Sequence, residues 1–246
     1  MPEGGFQTQT EKEVGKKIEE IFNRCPDSVE IKLENFPKYI RRQKLTKLLS
    51  LYEIFKKILP VKGSIVECGV YRGFSLMAWA NFSAVLEPAN LTRRIYGFDT
   101  FGGFPQIASQ DANIVMTPEP GQLSSNSLSE LTDLIKVYDS NRFLGHVSKV
   151  SIIPGDITKT VPDFISKNQH LVVSLLFLDL DLYGSTKVAI EKFYPRMPKG
   201  AIIAFDELDN PIWPGETAAL LNTIGINHLR IERLEFDPYI GFATIE

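Results

Sequence analysis

Two aspartates close a run of apolar residues in the segment FLDLDLYGST, residues 177–186. Asp179 and Asp181 are two positions apart, so on an extended strand both side chains would point to the same side. Burying a carboxylate beside apolar side chains costs several kcal/mol when its charge is not compensated. The pair therefore indicates a bound metal ion, a group that acts on a reacting hydroxyl, or a strand that simply ends in solvent.

A second acidic segment, FDELD at 205–209, follows the next apolar stretch of the chain. Asp206, Glu207 and Asp209 would join the first pair if the two stretches were neighbouring strands. Carboxylates crowded at one edge repel each other, which raises their pKa values unless a cation neutralises them. Mg²⁺ prefers oxygen ligands, whereas the three histidines are scattered and give zinc little support. This acidic edge predicts a metal site or a catalytic site.

Short apolar segments alternate with amphipathic ones along most of the chain, which is typical of parallel strands joined by helices. We expect an α/β fold with a Rossmann-like, doubly wound, mostly parallel sheet. The predicted strands span 64–70, 93–99, 149–156, 171–180 and 199–207, and the predicted helices span 75–86, 128–139 and 185–197. The tail, at 228–236 and 239–246, predicts an antiparallel strand pair that completes the sheet.

Two regions lie outside this alternation. Residues 11–25 and 38–59 carry apolar positions at helical spacing, so we expect an N-terminal arm with helices over 1–60 and one globular domain over 61–246. The segment 101–127 is long and rich in Gly, Pro and Ser. Loops of this length are lids or binding loops, or else disordered surface insertions, and the sequence leaves both interpretations open.

The first predicted strand runs into the turn VECGVYRGFS, residues 66–75. Gly69 and Gly73 allow a tight turn and a close approach of a ligand to the backbone before a helix begins. The spacing differs from the dinucleotide fingerprint G-x-G-x-x-G, because Glu67 stands where the first glycine would be. A carboxylate there would repel a pyrophosphate and suits a cationic ligand. S-adenosylmethionine carries an amino group and a sulfonium but no phosphate, so the turn favours it.

The next two strand ends are acidic as well. Asp99 is placed to accept hydrogen bonds from ribose hydroxyls, as the acidic residue does in dinucleotide sites. Asp156 and Ile157 follow the third strand and are candidates to border an adenine. Each acid taken alone could equally be a turn or helix cap. Acids at successive strand ends favour a ligand site, since ligands of open parallel sheets bind beyond the carboxyl ends of the strands.

Composition limits the class of protein. The 246 residues are 43% hydrophobic and 23% charged with a net charge of -3, which gives no electrostatic footprint for nucleic acid. The basic stretch at 39–47 is typical of a solvated helix face. Two cysteines favour a reducing compartment, and the first residues lack the apolar core of a signal peptide. The longest apolar run is too short to span a bilayer, so we expect a cytoplasmic protein with no membrane partner.

Four blocks of the sequence resemble the macrocin O-methyltransferase (TylF-type) family. They are RRQKLTKLLSLYEIFKKI, VECGVYRGFS, YGFDTFGGFP and LDLDLYGSTKVAIEKFYPRMPKGAIIAFDE, and the likeness runs from about residue 35 to about residue 220. The block after the fourth strand is the most specific, whereas many methyltransferases share the glycine turn. The resemblance implies a class I methyltransferase fold and an S-adenosylmethionine- and Mg²⁺-dependent enzyme that methylates sugar hydroxyls on natural products.

The resemblance also implies roles for individual residues. The methionine part of the cofactor would be surrounded by Glu67, Gly69, Tyr71, Arg72, Gly73 and Ser75, the ribose held by Asp99 and Thr100, and the adenine bordered by Asp156 and Ile157. Asp179, Asp206 and Glu207 would bind the metal, with Asp181 as general base. The sequence departs from the family pattern in three places: Leu180 replaces a frequent glycine, Glu207 replaces a usual second aspartate, and the segment LDNPIWPGETAAL at 208–220, which bears on the acceptor, differs from the usual family form.

The resulting hypothesis is a Mg²⁺-assisted O-methyltransferase whose acceptor is a glycoside or a nucleotide sugar, with a homo-oligomer as one possible assembly. Two alternatives remain at this level: a nicotinamide-dependent sugar oxidoreductase, and a non-catalytic module that binds S-adenosylmethionine or a sugar. Trp213 could stack on a sugar ring or pack as a surface aromatic. Glu216 could serve the site or be a helix-terminus charge, and Phe101, Phe104 and Tyr183 could border the acceptor or pack in the core.

Overall fold

The computed structural model describes residues 8–113 and 118–246, so residues 114–117 of the long insertion and the first seven residues of the predicted arm lie outside it. The chain divides into two compact units, 1–47 and 48–246. The predicted division at residue 60 stays a prediction.

The first unit is helical. Helix α1 spans Gln9–Arg24 and begins with a capping box, in which Thr8 and Glu11 satisfy each other's backbone N–H groups. Helix α2, Val29–Glu34, is capped by Ser28, and a single 3₁₀ turn follows at Phe36–Lys38. The helical spacing at 11–25 therefore predicts α1 correctly, whereas the six-residue α2 is too short to show a period.

The second unit is built on a seven-stranded sheet. Its strands are β1 Ser64–Cys68, β2 Ile95–Asp99, β3 Val150–Pro154, β4 Val173–Leu178, β5 Ile202–Phe205, β6 Glu232–Arg233 and β7 Gly241–Thr244. Their spatial order is β3-β2-β1-β4-β5-β7-β6. The first five strands pair in parallel, and β7 pairs antiparallel with both β5 and β6. This is the predicted mixed sheet, including its antiparallel tail.

Helices cover both faces of the sheet. Helix α3 spans Arg42–Ile58, and it is followed by α4 Phe74–Leu86, α5 Leu128–Ser140, α6 Ile157–Lys167, α7 Tyr183–Phe193 and α8 Gly215–Asn222. One apolar cluster surrounds Trp79 and Phe55, and another surrounds Phe98 and Phe193. Strands β1, β4 and β5 are buried along their whole length, as expected for parallel strands covered on both faces.

Two predicted strand ends near the site are wrong. Strand β4 ends at Leu178, so the predicted 171–180 strand stops before both aspartates. Strand β5 ends at Phe205, before Asp206 and Glu207. Helix α6 was not predicted, and it contains Pro162 at its middle position. Over 8–113 and 118–246, none of the helices combines the length and apolarity needed to cross a membrane.

Candidate active site

The acidic residues meet at the carboxyl ends of β4 and β5. The Asp179 N–H donates to the Cys68 carbonyl at 2.9 Å, and the Asp206 N–H donates to the Leu178 carbonyl at 2.9 Å. These bonds continue the sheet by one residue past the ends of the strands, so Asp179 and Asp206 leave the sheet at the same edge. The expected neighbourhood of the fourth and fifth strands is confirmed by their parallel pairing.

Asp181 lies in a tight turn rather than on an extended strand. Its φ is 63°, and the Leu182 N–H donates to the Leu180 carbonyl at 2.6 Å across it. A bond from residue i+2 to residue i around a positive φ defines a rare, strained γ-turn. The prediction that Asp179 and Asp181 share one side of an extended chain is therefore wrong in its premise. Strain of this kind in a non-glycine residue concentrates at functional sites, and the Asp181 side chain is 5% exposed.

Glu216 connects the two acidic strand ends. It lies in the first turn of α8 and is fully buried. Its Oε1 accepts the Leu180 N–H at 2.9 Å, and its Oε2 accepts the Glu207 N–H at 3.1 Å. Sequence reasoning considered Glu216 as a helix-terminus charge, but its carboxylate is the bridge between the segments that follow β4 and β5.

The site concentrates negative charge in a desolvated region. Burial raises the pKa of Glu216 well above its ordinary value, and the charges of Asp179, Asp181 and Glu207 raise it further, while the Leu180 N–H opposes the shift. Burial also raises the pKa of the Cys68 thiol, with smaller contributions from Glu67, Asp99 and Glu216. These carboxylates are therefore close enough to influence one another at this sheet edge.

The predicted metal ligands can be compared with this geometry. Asp206 and Glu207 are buried, and Glu207 Oε2 accepts a hydrogen bond from Asn210 Nδ2. Among residues 8–113 and 118–246, no three His, Cys, Asp or Glu side chains form a ready-made metal site. The donor chemistry nevertheless fits a hard divalent cation, since every candidate ligand is a carboxylate and the crowded charge would be relieved by a cation.

Backbone conformation and neighbouring protein atoms, without any ligand, account for the two glycines of the first turn. Gly69 has a φ of 95°, and a Cβ there would lie 1.8 Å from the Asp179 carbonyl oxygen. Gly73 has a φ of 80° and caps α4, and its Cβ would lie 2.2 Å from Leu131 Cδ2. Close packing of the first turn on the backbone at the end of β4 therefore explains Gly69, whereas the left-handed φ explains Gly73, since Leu131 Cδ2 is the end of a flexible side chain.

Glu67 is buried inside the sheet rather than exposed at its edge. The side chain has no solvent exposure, and its Oε2 accepts the Trp79 Nε1–H from α4 at 2.7 Å. The charge-assisted bond explains how a carboxylate is tolerated in β1. Its predicted contact with the amino group of a cofactor stays a prediction, and the indole partner, twelve residues further along the chain, was not foreseen.

Asp99 links the first turn to the insertion. Its Oδ2 accepts the Tyr71 N–H at 2.7 Å, and its Oδ1 accepts the Phe101 N–H at 2.6 Å. Thr100 Oγ1 donates to the Gly103 carbonyl at 2.6 Å. Each carboxylate oxygen has a second acceptor site, so Asp99 is oriented by the backbone and remains able to accept hydroxyl groups such as those of a ribose.

Asp156 and Ile157, the residues predicted to border an adenine, both have roles within the protein. Asp156 caps α6, because its Oδ1 accepts the Thr158 N–H at 2.9 Å and the Thr158 hydroxyl at 2.8 Å. Ile157 is buried in the apolar cluster that contains Phe98. The helix-cap interpretation of Asp156 is therefore confirmed, and the contact of either residue with an adenine is untested.

The other predicted cofactor contacts lie along the same turn. Tyr71 has a φ of 51°, and the Arg72 guanidinium lies over the Tyr71 ring, 5.4 Å from its centroid. Ser75 is buried in the first turn of α4. The Tyr71 carbonyl accepts hydrogen bonds from the hydroxyls of Ser125 and Ser127. The end of the insertion is thus bonded to the turn that was predicted to bind the cofactor.

Backbone hydrogen bonds join the first residues of the insertion 101–127 to its last residues. The Phe104 N–H donates to the Gln122 carbonyl at 3.0 Å, the Gly121 N–H donates to the Phe104 carbonyl at 2.9 Å, and the Ser125 N–H donates to the Phe101 carbonyl at 3.0 Å. A short 3₁₀ turn covers Ser109–Asp111. These contacts argue against a disordered insertion over 101–113 and 118–127.

An apolar cluster joins the insertion to the acidic edge. Phe104, Leu182 and Trp213 form its buried centre, and the Phe104 and Trp213 rings meet edge to face at 5.6 Å between centroids. Trp213 is only 2% exposed. The packing interpretation of Trp213 is therefore confirmed, although it packs in the interior rather than at the surface.

Asp111 is a buried carboxylate that sequence reasoning did not identify. It lies in the insertion and is 1% exposed. Its Oδ1 accepts the Tyr183 N–H at 2.6 Å, and its Oδ2 accepts the Ala108 N–H at 2.7 Å. Asp111 therefore caps α7 from outside that helix. The capped residue, Tyr183, lies two residues after Asp181.

Residues 39–220, which carry this edge and its insertion, match the family described as Macrocin-O-methyltransferase (TylF). The chain belongs to this family. The match contains all the predicted site residues, from Glu67 to Glu207, and also Asp111 and Glu216. The family assignment made from the four sequence blocks is confirmed.

Two curated relatives of the chain are named as O-methyltransferases. The chain is 27% identical over 148 residues to 8-demethyl-8-(2,3-dimethoxy-alpha-L-rhamnosyl)-tetracenomycin-C 4'-O-methyltransferase of Streptomyces olivaceus, covering 60% of this chain and 53% of that protein. It is 26% identical over 152 residues to mycinamicin III 3''-O-methyltransferase of Micromonospora griseorubida, covering 60% and 56%. The chain thus spans about half the length of the curated relatives it matches.

Solved structures match over more of the chain. The calicheamicin methyltransferase CalS11 is 34% identical with a TM-score of 0.92, covering 97% of this chain and 93% of that chain. Its apo structure, described as a TDP-rhamnose 3'-O-methyltransferase, is 33% identical with a TM-score of 0.84 over 97% and 95%. The O-methyltransferase NovP, at 18% identity and a TM-score of 0.61 over 81% and 79%, shares the fold. The predicted class I methyltransferase fold is confirmed.

Proposed function

We propose that this protein transfers a methyl group from S-adenosylmethionine to a hydroxyl of a sugar, carried by a nucleotide sugar or a glycosylated natural product. The similarity to CalS11 over 97% of the chain is the observation that carries the proposal. The names of both curated relatives agree with it, since each describes a sugar O-methyltransferase acting on a glycosylated small molecule. The nucleotide-sugar option rests on the description of CalS11 as a TDP-rhamnose enzyme.

Contacts around the first turn support S-adenosylmethionine as the cofactor. Asp99 is held by the Tyr71 and Phe101 N–H groups, and its remaining acceptor sites suit the hydroxyls of a ribose. Glu67 adds a negative charge beneath the turn, which favours a ligand with an ammonium and a sulfonium over a pyrophosphate. When bound, S-adenosylmethionine supplies an electrophilic methyl group on a positively charged sulfur.

Asp181 is the proposed general base. A neutral hydroxyl is a weak nucleophile, so a carboxylate that removes its proton as the new oxygen–carbon bond forms lowers the barrier. In the complete reaction the hydroxyl oxygen gains the methyl group, its proton moves to the Asp181 carboxylate, and the sulfur keeps the electrons of the broken carbon–sulfur bond. Alignment of the acceptor by the site would contribute up to about 7–11 kcal/mol, the range for well-oriented reactants.

We further propose that a Mg²⁺ ion, or another hard divalent cation, is held by Asp179, Asp206 and Glu207. Such an ion would polarise the sugar hydroxyl and lower its pKa. The carboxylate donors and their crowded charges support this part of the proposal. Calorimetric titration of Mg²⁺ into cofactor-loaded protein tests it: binding that Asp206→Ala abolishes is expected, and no binding to the native protein would refute the metal site.

The function itself is tested with purified protein, S-adenosylmethionine and TDP-rhamnose, followed by a panel of glycosides with vicinal hydroxyls. Release of S-adenosylhomocysteine together with a methylated acceptor is the expected result. Cofactor binding without transfer to any acceptor would favour the non-catalytic module instead. Fluorescence titration with NAD(P)H serves as a control, because saturable binding would support the oxidoreductase alternative.

A further inference from the structure

We infer that Asp111 is a positioning residue for Asp181, and that through it the 101–127 insertion fixes the orientation of the catalytic base. The inference rests on the proposed function, since Asp181 is the proposed base. Asp111 would act on the backbone that carries Asp181, through its bond with the Tyr183 N–H, and not as an acid or base of the reaction.

Two buried carboxylates hold the turn that contains Asp181, one from each side. Glu216 of α8 accepts the N–H of Leu180 at 2.9 Å, immediately before Asp181. Asp111 of the insertion accepts the N–H of Tyr183 at 2.6 Å, two residues after it. The turn between these anchors has the strained φ of 63° at Asp181. A strained conformation persists only when its surroundings over-determine it, and these two bonds meet that requirement.

The packing around Gly215 shows how closely the anchors meet. A Cβ on Gly215 would lie 2.5 Å from each of three atoms, Asp111 Oδ1, the Asp181 carbonyl oxygen and the Tyr183 nitrogen. Only a residue without a side chain leaves room for the insertion, the base turn and the start of α8 to converge. Gly215 directly precedes Glu216, so one short segment both admits Asp111 and delivers the second anchor.

Asp111 is itself held in place by the insertion. Its Oδ2 accepts the Ala108 N–H at 2.7 Å, which ties the carboxylate to its own 3₁₀ turn. Leu182, the residue next to Asp181, packs in the apolar cluster with Phe104 of the insertion and Trp213. The insertion therefore contacts the base turn through one charge-assisted hydrogen bond and one apolar contact.

The same insertion is bonded to the first turn at its other end. Ser125 and Ser127 donate to the Tyr71 carbonyl, and Tyr71 belongs to the turn proposed to hold the cofactor. The described parts of the insertion, 101–113 and 118–127, thus contact both the turn proposed to hold the cofactor and the turn that carries the proposed base. The insertion therefore supports the proposed cofactor turn through Ser125 and Ser127, and it reaches the turn of Asp181 through Asp111.

Removing the Asp111 carboxylate would leave the Tyr183 N–H without its acceptor and free the turn to relax toward an unstrained φ. The base would then be displaced, although the cofactor turn would keep its contacts. A displacement of about 1 Å can cost about a hundredfold in rate. We therefore expect Asp111→Ala to lower kcat by about 10- to 100-fold with little change in cofactor affinity.

The experiment measures kcat, the KM for the acceptor and the S-adenosylmethionine Kd for four proteins. They are the native chain, Asp111→Ala, Asp111→Asn, and Asp133→Asn as a control on an exposed position of α5. Asn keeps one carbonyl acceptor where Asp offers two oxygens, so Asp111→Asn should retain more of kcat than Asp111→Ala. Urea unfolding confirms that each variant is folded under assay conditions.

A double-mutant cycle separates positioning from general destabilisation. If Asp111 acts through Asp181, the Asp111→Ala change should cost little in the Asp181→Asn background, because the group it positions is already gone. An equal loss in both backgrounds, or native kcat in Asp111→Ala, would overturn the inference while leaving the proposed function intact. Absence of methyl transfer by the native protein on every acceptor would overturn the proposed function, and this inference with it.

Hydrogen exchange gives a readout that does not depend on turnover. Mass spectrometry of the peptide covering 180–183 should show faster amide exchange in Asp111→Ala than in the native chain and in Asp133→Asn. Unchanged exchange in that peptide would contradict the claim that Asp111 holds the turn, whatever the kinetics show.

Discussion

Oε1 of Glu216 accepts the Leu180 N–H at 2.9 Å, although the two residues are thirty-six positions apart in sequence. Leu180 directly precedes Asp181, the proposed base. The second oxygen of the same carboxylate accepts the Glu207 N–H. The spacing of the acidic edge is therefore set by a carboxylate that belongs to neither strand.

Replacing Glu216 by alanine should destabilise the protein strongly. Both backbone N–H groups would be left buried without an acceptor, at about 1–3 kcal/mol each, so we expect the free energy of unfolding to fall by about 2–6 kcal/mol. Urea unfolding checks this, with Glu191→Ala on the exposed side of α7 as control. Glu216→Gln, which keeps one acceptor, should be intermediate; equal stability of all four proteins would contradict the bridging role.

Gly69 should not tolerate a side chain. Its φ of 95° is strained for alanine, and the added Cβ would overlap the Asp179 carbonyl oxygen. Gly69→Ala should therefore lower stability by several kcal/mol and displace the first turn from β4. Gly184→Ala is the matched control, since nothing lies within 4 Å of its Cβ position, and in a helix alanine gains up to about 1 kcal/mol over glycine. Thermal unfolding that ranks Gly69→Ala with the control would refute the packing argument.

Trp213 tests whether the buried aromatic serves packing or sugar binding. Because it is 2% exposed and meets Phe104 edge to face, Trp213→Ala should cost about 3–5 kcal/mol of stability. A double-mutant cycle with Phe104→Leu should return a coupling of about 0.5–1.5 kcal/mol. A variant with native stability but a raised acceptor KM would show instead that the indole contacts the sugar.

Lys149 predicts a pH dependence of stability. Burial lowers the pKa of its ammonium from 10.5 to about 8, against the opposing charge of Glu87, while Nζ donates to the Asn90 carbonyl at 2.7 Å. Between these two pKa values the unfolded chain binds more protons than the folded protein, so stability rises with pH over that window. At pH below about 8 both states are protonated and the contribution is constant.

The matched comparison for Lys149 is Lys149→Met. The unfolding free energy of the native chain should rise relative to that of the variant between pH about 8 and 10.5. Urea unfolding at several pH values measures the difference, and titrations elsewhere in the protein cancel from it. A difference that stays constant or falls with rising pH would contradict the lowered pKa.

Much of the scaffold could be read from sequence for a physical reason. Buried parallel strands are continuous apolar runs, so β1, β4 and β5 were evident, and acids directly after such runs, such as Asp179 and Asp206, must emerge at the sheet edge. Helix α6 was not predicted, since an internal proline, Pro162, is unfavourable in a helix. The order of the strands in space carries no local signature.

The positions of side chains across the site could not be predicted in this way. Glu216 lies in the first turn of α8, where an acidic residue is usually a solvent-exposed charge. Only the tertiary structure shows that its carboxylate accepts the N–H groups of Leu180 and Glu207. Asp111 lies in a segment without periodicity, where no pattern distinguishes a buried acid from a solvated one. The γ-turn at Asp181 is imposed by these contacts rather than by its own residue type, so the extended geometry predicted there was wrong.

The assignment of Asp181 as the general base of a methyltransferase is tested by comparing methyl transfer by the native protein and by Asp181→Asn, both saturated with S-adenosylmethionine to the same degree. Calorimetry first establishes that the two proteins bind the cofactor equally, and mass spectrometry then follows a sugar acceptor that the native enzyme methylates, beginning with TDP-rhamnose. We predict equal cofactor binding and a loss of about 10²–10⁴-fold in rate for Asp181→Asn, the range for a general base. Near-native transfer by Asp181→Asn would contradict the assignment of Asp181 as the base.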